Sequence, residues 1–312
     1  MPSIALVSGA DSNYFPLLRE WISSVRRCKE SEGLDICVID AGLTAEQISA
    51  LKPEVKSIVS PEWPVGIPAS KTKDMDRLKA CVCRPFIREI FPGYDTYMWM
   101  DADTWVQDWA GAQMFLDAAN LKKDRIAITN GADRAYPKSF RVKWLWRWPY
   151  RIANFYFSNG KAAYGFSVAK KLCTEYVMNA GCFALSAKAP HWDRWQKNIV
   201  AAAAKGKLFT AEQLSLGVTV YLDGCKAEML PSYTHWICEN APFWDRQKGA
   251  FVEPFMPHMT LGVLHLVGVD ALRASRKAEG KFQTTDGAFV ALPLRYPHFD
   301  GGDLTTAKPK RG

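Results

Sequence analysis

Short apolar segments alternate with amphipathic segments along the N-terminal third of the chain, and no other feature restricts the fold as strongly. Ile4–Val7 is apolar, and after a polar turn the residues from Pro16 onward place apolar side chains at helical spacing. Two more apolar segments follow, Leu34–Ile39 and Val55–Val59, separated by a helix-capping pattern at residues 44–47. Strands that alternate with helices form a parallel sheet with helices on both faces. The sequence therefore predicts an α/β fold around a Rossmann-like, mostly parallel central sheet.

The rest of the chain is less regular, but it contains further predicted elements. We predict one long helix from Lys73 to Phe91 and, after it, a strand that ends at Met100. Further strands are predicted at residues 125–129, 178–186 and 262–267, and further helices at residues 191–204 and 211–222. Beyond Gly268 the periodic patterns fade, and residues 280–312 are rich in Gly, Pro and charged residues. We therefore expect one domain over residues 1–268 and an irregular C-terminal extension over residues 269–312 with a partly disordered tail.

Composition limits the classes of protein to which the chain can belong. Its 312 residues are 48% hydrophobic, which is sufficient for a sizeable core. The net charge is +8, but the basic residues are scattered along the chain, so a nucleic-acid partner is not expected. The positive charge fits an anionic small substrate or an acidic membrane surface. The sequence has no secretory signal and no apolar run of about 20 residues, and its eight cysteines are dispersed, so we expect a cytoplasmic protein with free thiols.

Two aspartates directly follow a predicted buried strand. Asp101 and Asp103 come after the apolar run 97–100 and are two residues apart, so their side chains point the same way if the strand continues. Converging carboxylates suit Mg²⁺ or Mn²⁺, and the carboxyl ends of strands are where α/β sheets bind ligands. Two other interpretations are a helix or turn cap and the aspartyl nucleophile of a haloacid-dehalogenase-type phosphatase. Trp105 stands where that phosphatase motif has Thr or Val, so a metal site for diphosphate chemistry is the favoured interpretation.

Basic residues recur within the long predicted helix. Four of them fall at helical spacing: Lys73, Arg77, Arg84 and Arg88. They would share one face, which by itself is typical of a solvated surface. Arg84 differs because Pro85 disturbs the helix next to it. A guanidinium can bind a phosphate or a sugar hydroxyl through two hydrogen bonds, so we predict a binding role for Arg84.

Three polar sites lie further along the chain, and each has an ordinary structural explanation beside a functional one. Residues 179–181, Asn-Ala-Gly, begin a predicted strand, where a glycine allows close approach of a ligand but a simple strand-entry turn is equally consistent. Glu212 and Gln213 lie near the start of a predicted helix, where the helix dipole favours an acid in any case. His265 lies in an apolar strand, where it is either a core histidine or a third ligand for a divalent ion.

In this order the segments resemble the retaining nucleotide-sugar glycosyltransferases of family 8, which have the GT-A fold and include glycogenin and the bacterial lipooligosaccharide galactosyltransferases. The matching features are residues 10–14 (Ala-Asp-Ser-Asn-Tyr) after the first strand, Arg84 before the acidic strand, the DxD motif at residues 101–103, Asn179-Ala180-Gly181, the pair Glu212-Gln213, and His265 followed by Gly268. The resemblance covers about residues 3–268. It implies that the predicted domain is a GT-A glycosyltransferase domain.

The resemblance implies an activity and a distribution of roles. The protein would transfer a hexose from a UDP-sugar to a glycan or other hydroxyl acceptor with retention of configuration, in the synthesis of cell-surface polysaccharide or glycolipid. The implied ligands for Mn²⁺ or Mg²⁺ are Asp101, Asp103 and His265, and the implied catalytic residues are Asn179, Glu212 and Gln213. The implied donor-binding residues are Gly9, Ala10, Asp11, Asn13, Tyr14, Arg84, Asp101, Ala102 and Gly181.

Two positions depart from the family pattern. The family has a lysine shortly after His-x-x-Gly that holds the diphosphate, whereas residues 269–272 are Val-Asp-Ala-Leu and the nearest bases are Arg273, Arg276 and Lys277. The acidic residue before Gln213 is a glutamate, one methylene longer than the aspartate of the family. We therefore expect the phosphate contacts and the geometry at the reacting carbon to differ from those of the family.

A segment between the acidic pair and residue 178 is dense in aromatic and basic residues. It spans about residues 134–158, where family members build the acceptor side, and it includes Trp144, Trp146 and Trp148. Alternating tryptophan and basic residues stack on sugars or lie at a lipid headgroup interface, but tryptophans also fill cores between loops. We expect this segment to contact a carbohydrate or lipid-linked acceptor. Peripheral contact with the inner face of the membrane through the three tryptophans is a further hypothesis.

Two other functions are consistent with part of the pattern. A sugar-1-phosphate nucleotidyltransferase also combines an α/β sheet with an acidic metal site, but it normally has a Gly-rich basic loop after the first strand, and residues 8–14 are not of that kind. An inactive transferase fold that binds carbohydrate would explain the missing lysine and the tryptophan-rich segment. UDP-sugar transfer remains the main prediction.

Overall fold

The structure is a computed structural model that describes residues 2–131 and 141–305, with the backbone alone for residues 141–145 and 148–153. Its strands are β1 (Ile4–Ala10), β2 (Asp35–Asp40), β3 (Ser57–Val59), β4 (Thr96–Met100), β5 (Thr104–Val106), β6 (Arg125–Asn130), β7 (Arg141–Leu145), β8 (Trp148–Ala153), β9 (Met178–Ser186), β10 (Lys226–Leu230), β11 (His235–Ile237), β12 (Phe243–Asp245), β13 (Ala250–Val252), β14 (Val263–His265), β15 (Glu279–Gln283) and β16 (Phe289–Pro293). Its α-helices are α1 (Phe15–Arg26), α2 (Ala45–Leu51), α3 (Ala69–Thr72), α4 (Lys79–Val82), α5 (Ile87–Ile90), α6 (Trp109–Leu121), α7 (Phe155–Tyr164), α8 (Phe166–Leu172), α9 (His191–Lys205), α10 (Leu208–Gly217) and α11 (Asp270–Ala274).

A seven-stranded sheet in the order β10-β6-β9-β4-β1-β2-β3 forms the centre of the molecule. β4, β1, β2 and β3 run parallel to one another, and β10 runs parallel to β6. β9 runs antiparallel to both of its neighbours, β4 and β6. Helices pack on both faces of the sheet. The predicted α/β fold with a mostly parallel sheet is confirmed, and the reversed β9 brings its first residues to the edge where the parallel strands end.

The sequence of β4 explains why this strand lies at the centre of the sheet. Its side chains alternate between two hydrophobic clusters, since Met98 and Met100 pack on the face covered by α1 and α6. Tyr97 and Trp99 pack on the opposite face, with α9. Burying an apolar side chain of this size contributes about 1.5–3 kcal/mol to folding. The strand is thereby held between two cores, and Asp101, directly after it, is fixed at the edge of the sheet.

Two helix starts follow the sequence signals closely. In α1, Pro16 occupies the first turn, where its missing N–H leaves no hydrogen bond unmade. At α2, the Gln47 N–H donates to Thr44 Oγ1 (3.3 Å), and the Thr44 N–H donates to Gln47 Oε1 (3.0 Å). This capping box confirms the helix start predicted at residues 44–47.

The long helix predicted from Lys73 to Phe91 is wrong. Residues 69–90 form three single-turn helices, α3, α4 and α5, and two 3₁₀ turns at residues 76–78 and 84–86. Asp74 has a φ of 57°, outside the α-helical region, and Pro85 lacks the N–H that a continuous helix needs. The predicted basic face therefore does not exist, and Arg84 is buried.

A second sheet, β11-β14-β5, lies beside the first and packs against the C-terminal residues. β14 pairs antiparallel with β5 and parallel with β11. The antiparallel hairpin of β15 and β16 contributes to the same cluster through Phe282, and Leu294 and Tyr296 follow it into the cluster. Phe282 is the one buried residue of the hairpin strands. The hairpin therefore lacks the apolar periodicity from which strands are predicted, and the sequence did not indicate it.

A buried ion pair joins the C-terminal residues to α1. Glu20 and Arg295 are both buried, and Arg295 donates to the two carboxylate oxygens from Nη2 (2.7 Å) and Nε (3.0 Å). Arg276 Nη1 donates to the same carboxylate (3.0 Å), as does the Gly301 N–H (3.2 Å). The extension thus contains folded structure at least as far as these residues. The predicted disordered tail includes residues 306–312, which lie outside the described part of the chain.

The predicted aromatic and basic insertion is described in part. β7 and β8 pair as an antiparallel hairpin, and Trp146 lies at its turn. Residues 132–140 and the side chains of Trp144 and Trp148 lie outside what the structure describes. Within residues 2–131 and 141–305, no helix is both long enough and apolar enough to cross a bilayer. All eight cysteines are free thiols; five of them are buried, whereas Cys28, Cys81 and Cys173 are partly exposed.

Candidate functional site

Three chain segments meet at the edge of the central sheet where the parallel strands end. Residues 101–103 follow β4 directly and lead into β5. Because β9 runs against β4, its first residues lie at the same edge, where the Asp101 N–H donates to the Gly181 carbonyl oxygen (2.8 Å). His265 ends β14 and lies opposite Thr104 of β5. Strand pairing therefore brings together residues that are far apart in the sequence.

One oxygen of each aspartate and one nitrogen of His265 form a cluster. His265 Nε2 lies 3.3 Å from Asp103 Oδ1 and 3.6 Å from Asp101 Oδ2. The ligand atoms of the three residues all lie within 4.8 Å of one another. Ala102, between the aspartates, is buried. Gly181 makes room for the cluster, because a Cβ there would lie 2.5 Å from His265 Cε1 and 3.0 Å from Asp101 Oδ2.

Arg84 lies next to Asp101 and is held by several groups. Its guanidinium donates from Nη2 to Asp101 Oδ1 and from Nη1 to the Ala180 carbonyl oxygen (2.9 Å). Its Nε donates to the Ala80 carbonyl oxygen (3.0 Å), and its Cζ lies 4.7 Å from the centroid of the Trp99 ring. A buried arginine with this many partners is a fixed positive charge at the site.

A second arginine, Arg273 of α11, binds the other aspartate. Its Nη1 donates to Asp103 Oδ2 (2.8 Å) and to the Leu266 carbonyl oxygen (3.4 Å), and its Nη2 donates to Asp270 Oδ1 (2.8 Å). Its Cζ lies 5.5 Å from the centroid of the Tyr14 ring. Arg273 is therefore the base after the His-x-x-Gly pattern that reaches the site. The sequence alone does not show which of Arg273, Arg276 and Lys277 reaches the site, because no periodic pattern indicates the short helix α11.

Burial and ion pairing shift the pKa values of these groups in different directions. Burial raises the pKa of Asp101, and Arg84 offsets part of that rise. Burial also acts to raise the pKa of Asp103, but His265 and Arg273 hold that pKa well below its usual value. Burial acts to lower the pKa of His265, but the two carboxylates outweigh it and the pKa is raised. Asp103 is therefore a carboxylate at neutral pH, the form that binds a cation.

Glu212 of α10 also approaches Arg84. Its Oε1 is buried and accepts no hydrogen bond within the described residues, and it lies 3.4 Å from Arg84 Nη1. Burial raises the pKa of Glu212 to about 7, although Arg84 acts to lower it. Gln213 Nε2 donates to the Met178 carbonyl oxygen (2.7 Å), which joins α10 to the start of β9. The structure thus brings Glu212 to the arginine of the site, while Gln213 contacts the backbone of the neighbouring strand.

A stacked pair of histidines joins Asn179 to the site. The His235 and His265 rings are 5.1 Å apart and 15° from parallel. His235 Nδ1 lies 3.2 Å from Asn179 Nδ2 and 3.4 Å from Thr129 Oγ1, and the Gly181 N–H donates to Asn179 Oδ1 (3.3 Å). Burial holds the pKa of His235 well below its usual value, so its ring is neutral. The sequence predicts no role for His235, because a lone histidine has no partner at regular spacing and the stack depends on the pairing of β11 with β14.

The segment after β1 forms a turn at the same edge of the sheet, because β1 and β4 are parallel neighbours. Gly9 and Ala10 end β1, and Asp11, Asn13 and Tyr14 follow them. The Tyr14 N–H donates to Asp11 Oδ1 (2.9 Å), which closes the turn. Thr305 Oγ1 donates to Asn13 Oδ1 (2.6 Å). Tyr14 also contacts Arg273, so the turn adjoins the cluster around Asp103.

The residues present fit a divalent cation. They offer two carboxylate oxygens and one imidazole nitrogen close together, which are donors that Mn²⁺ accepts and that suit Mg²⁺ in part. Three protein donors leave about half of an octahedral shell for other oxygens. The two arginines beside the carboxylates carry the fork of donors that binds phosphate. The arrangement can therefore hold a cation together with an anion.

Comparison with solved structures identifies the fold. An active-site mutant of LgtC matches this chain with a TM-score of 0.50 at 15% sequence identity, over 84% of this chain and 86% of that one. The galactosyltransferase LgtC in complex with donor and acceptor sugar analogs matches with a TM-score of 0.51 at 16% identity, over the same shares, 84% and 86%. The bifunctional glycosyltransferase WbbM matches with a TM-score of 0.51 at 14% identity, over 86% of this chain and 46% of that one.

No protein-family model matches the sequence, and no curated protein matches it. At identities of 14–16% the structural likeness concerns the fold. The α/β architecture, a mostly parallel seven-stranded sheet flanked by helices, matches that of GT-A glycosyltransferases. The chain therefore has the GT-A fold of glycosyltransferases and is similar in structure to LgtC, a member of family 8.

Proposed function

We propose that the chain is a metal-dependent glycosyltransferase that transfers a hexose from a UDP-sugar to a hydroxyl group of a glycan or lipid-linked acceptor, with retention of configuration. The observation that supports this most is the cluster of Asp101, Asp103 and His265 at the edge of a GT-A sheet, with an arginine on each aspartate. The likeness to LgtC adds support, because that protein has been crystallised with donor and acceptor sugar analogs.

The leaving group of a UDP-sugar is a diphosphate, so negative charge grows on it as the bond to the sugar breaks. Bound Mn²⁺ or Mg²⁺ would supply Lewis-acid stabilisation of that charge. Asp101, Asp103 and His265 would hold the cation, and Arg84 and Arg273 add two fixed positive charges beside its site. A preorganised group of this kind typically contributes about 3 kcal/mol to lowering a barrier.

We assign the sugar-facing roles to Glu212, Gln213 and Asn179. The reacting sugar passes through an oxocarbenium-like state, which a nearby carboxylate stabilises. Glu212 supplies such a group next to Arg84, and its pKa of about 7 means that both of its protonation states are populated at neutral pH. Asn179 and Gln213 have positioning roles, because their side chains form hydrogen bonds with the backbone of the first residues of β9.

We assign the uridine to the turn at residues 9–14 and the acceptor to the insertion at about residues 134–158. Tyr14 offers an aromatic ring beside Arg273 at the donor side. On the acceptor side, Trp146 is 94% exposed at the turn between β7 and β8, where its ring is free to stack on a sugar or to enter a headgroup layer. Residues 1–268 then form the catalytic domain, and residues 269–312 form an extension that supplies Arg273 to it.

A thermal-unfolding screen tests the proposal. The protein is heated with UDP-glucose, UDP-galactose, UDP-N-acetylglucosamine or GDP-mannose, each with Mn²⁺ and with EDTA. A ligand at a hundred times its Kd stabilises by about 2.7 kcal/mol, which raises Tm by about 5 °C in a protein of this size. We expect at least one UDP-sugar to do so with Mn²⁺ and none with EDTA.

Two variants control the screen. Asp103→Asn should lose the Mn²⁺-dependent shift, whereas Lys277→Gln, at an exposed residue, should keep it. The absence of a shift with every UDP-sugar would contradict the proposal. UTP with a sugar 1-phosphate serves as a further arm, because formation of a UDP-sugar from these would identify a nucleotidyltransferase instead.

A further inference from the structure

We propose that Arg84 and Arg273 make cation binding at this site depend on the diphosphate, so that a divalent cation binds weakly alone and tightly together with UDP. The inference rests on the proposed function, and it adds an energetic coupling between the two ligands. Arg273 sets this coupling, because it donates a hydrogen bond to one oxygen of Asp103 and neutralises the charge of that carboxylate.

In each aspartate, one carboxylate oxygen accepts a hydrogen bond from an arginine and the other belongs to the cluster of ligand atoms. Asp101 Oδ1 accepts a hydrogen bond from Arg84, and Asp101 Oδ2 is the oxygen that faces His265 Nε2 (3.6 Å). Asp103 Oδ2 accepts from Arg273 (2.8 Å), and Asp103 Oδ1 is the oxygen that faces His265 Nε2 (3.3 Å). Each carboxylate therefore has one oxygen left for a cation. Together with the imidazole, the protein supplies about half of an octahedral shell.

The two guanidinium groups also cancel the charge that would attract a cation. Arginine stays protonated in proteins, so the Arg84–Asp101 and Arg273–Asp103 pairs have no net charge. The four side chains are only 7–19% exposed, so solvent screens their charges weakly. A cation that entered alone would leave two positive charges uncompensated in this buried place, which is unfavourable.

Two further carboxyl groups face these arginines. Glu212 lies beside Arg84, but burial raises its pKa to about 7, so a large fraction of it is neutral at that pH. Asp270 binds Arg273 Nη2 (2.8 Å), but its side chain is 40% exposed and water screens its charge. His265 must be neutral to act as a ligand. None of these groups supplies the full negative charge that a divalent cation requires.

The arginines are also held in place, so they do not leave when a cation arrives. Arg84 donates to the carbonyl oxygens of Ala180 (2.9 Å) and Ala80 (3.0 Å). Arg273 donates to the Leu266 carbonyl oxygen (3.4 Å) and lies against the Tyr14 ring. Turning either guanidinium away would break these contacts and leave a buried charge without partners, which is costly.

A diphosphate supplies what the protein lacks. Its oxygens would add ligands to the cation, and its negative charges would balance the cation and the two guanidinium groups. The affinity for the cation should therefore rise on the order of tenfold or more when UDP is bound, within the range usual for coupled sites. By linkage, Mn²⁺ must raise the affinity for UDP by the same factor.

The test measures Mn²⁺ binding to the full-length protein from the free-ion EPR signal, without and with UDP. The Mn²⁺–UDP complex in solution is measured in the absence of protein and subtracted. For the wild type we expect a Kd for Mn²⁺ at least about tenfold lower with UDP. A calorimetric titration of UDP, with and without Mn²⁺, should return the same factor.

Variants of Arg273 test the direction in which the affinity for Mn²⁺ should change. Arg273→Gln frees Asp103 Oδ2 and removes a positive charge, so Mn²⁺ alone should bind several-fold tighter than in the wild type, while the gain from UDP shrinks. A variant that merely damaged the structure would bind Mn²⁺ more weakly. Arg273→Lys keeps the charge and should keep the coupling. Lys277→Gln removes an exposed charge four positions later and should match the wild type.

The results distinguish a failure of the coupling from a failure of the proposed metal site. Wild-type protein that binds Mn²⁺ equally well with and without UDP overturns the coupling, and this holds whether or not Arg273→Gln folds. Tighter Mn²⁺ binding by folded Arg273→Gln supports it, and unchanged or weaker binding overturns it. Wild-type protein that binds no Mn²⁺ even with UDP overturns the metal site of the proposed function itself.

Discussion

Replacing Glu212 with glutamine should change how the stability of the protein depends on pH. Burial raises the pKa of Glu212 from 4.5 to about 7, so between these values the folded protein keeps a proton that the unfolded chain has released. The free energy of unfolding therefore falls as the pH rises from about 4.5 to about 7, and this contribution is constant on either side of that interval. At about 1.4 kcal/mol per pKa unit, the contribution amounts to about 3 kcal/mol.

Urea unfolding at a series of pH values between about 4.5 and about 7.5 measures this contribution. Glu212→Gln keeps the shape of the side chain and removes its titration. Its stability relative to the wild type should therefore rise by about 3 kcal/mol across the interval. Carboxyl groups that do not interact with Glu212 affect both proteins alike and cancel in the difference, whereas Asp101 interacts with it and can add a smaller change. Glu62→Gln, at an exposed residue, is the matched control for the substitution. A stability difference for Glu212→Gln that does not vary with pH would show that Glu212 does not keep its proton in the folded protein.

Three further substitutions test other parts of the structure. Gly181→Ala places a Cβ 2.5 Å from His265 Cε1, so the ring must move; we expect Mn²⁺ affinity with UDP, measured by EPR, to fall about tenfold, and an unchanged affinity would contradict the site geometry. Arg295→Met leaves the buried Glu20 with one arginine fewer and should cost about 3–5 kcal/mol in urea unfolding, whereas a loss below about 1 kcal/mol would show that the pair is not needed. Thr44→Ala removes the cap of α2 and should cost about 1 kcal/mol by the same method, with a cost near zero counting against the capping box.

The features that sequence predicted well are those set by local patterns. The apolar run before Asp101 determines a central strand, and a strand of that kind ends at the ligand-binding edge of an α/β sheet. An apolar run likewise predicts the strand β14, and His265 ends that strand. The two segments could be linked to one site because their order resembles a known family, and the structure brings the ligand atoms of Asp101, Asp103 and His265 to within 4.8 Å of one another.

The features that sequence did not predict depend on contacts between distant residues. Arg273 reaches Asp103 because the unpredicted helix α11 lies beside β5 and β14. His235 stacks on His265 because β11 and β14 pair, which no spacing in the sequence indicates. The predicted long helix is interrupted at Asp74 as well as near Pro85, and the conformation of Asp74 shows only in the folded chain. Local pattern and the order of the segments therefore indicated the residues of the cluster, and tertiary packing determined which charges surround them.

We propose that Asp101, Asp103 and His265 hold a cation that acts on the diphosphate of a UDP-sugar. The release of UDP from UDP-hexoses tests this role; it is measured with Mn²⁺, with EDTA, and with Asp103→Ala, whose fold is checked by circular dichroism. We expect the wild type to release UDP only when Mn²⁺ is present and folded Asp103→Ala to release none above background. Release that continues in EDTA, or full activity in Asp103→Ala, would contradict it.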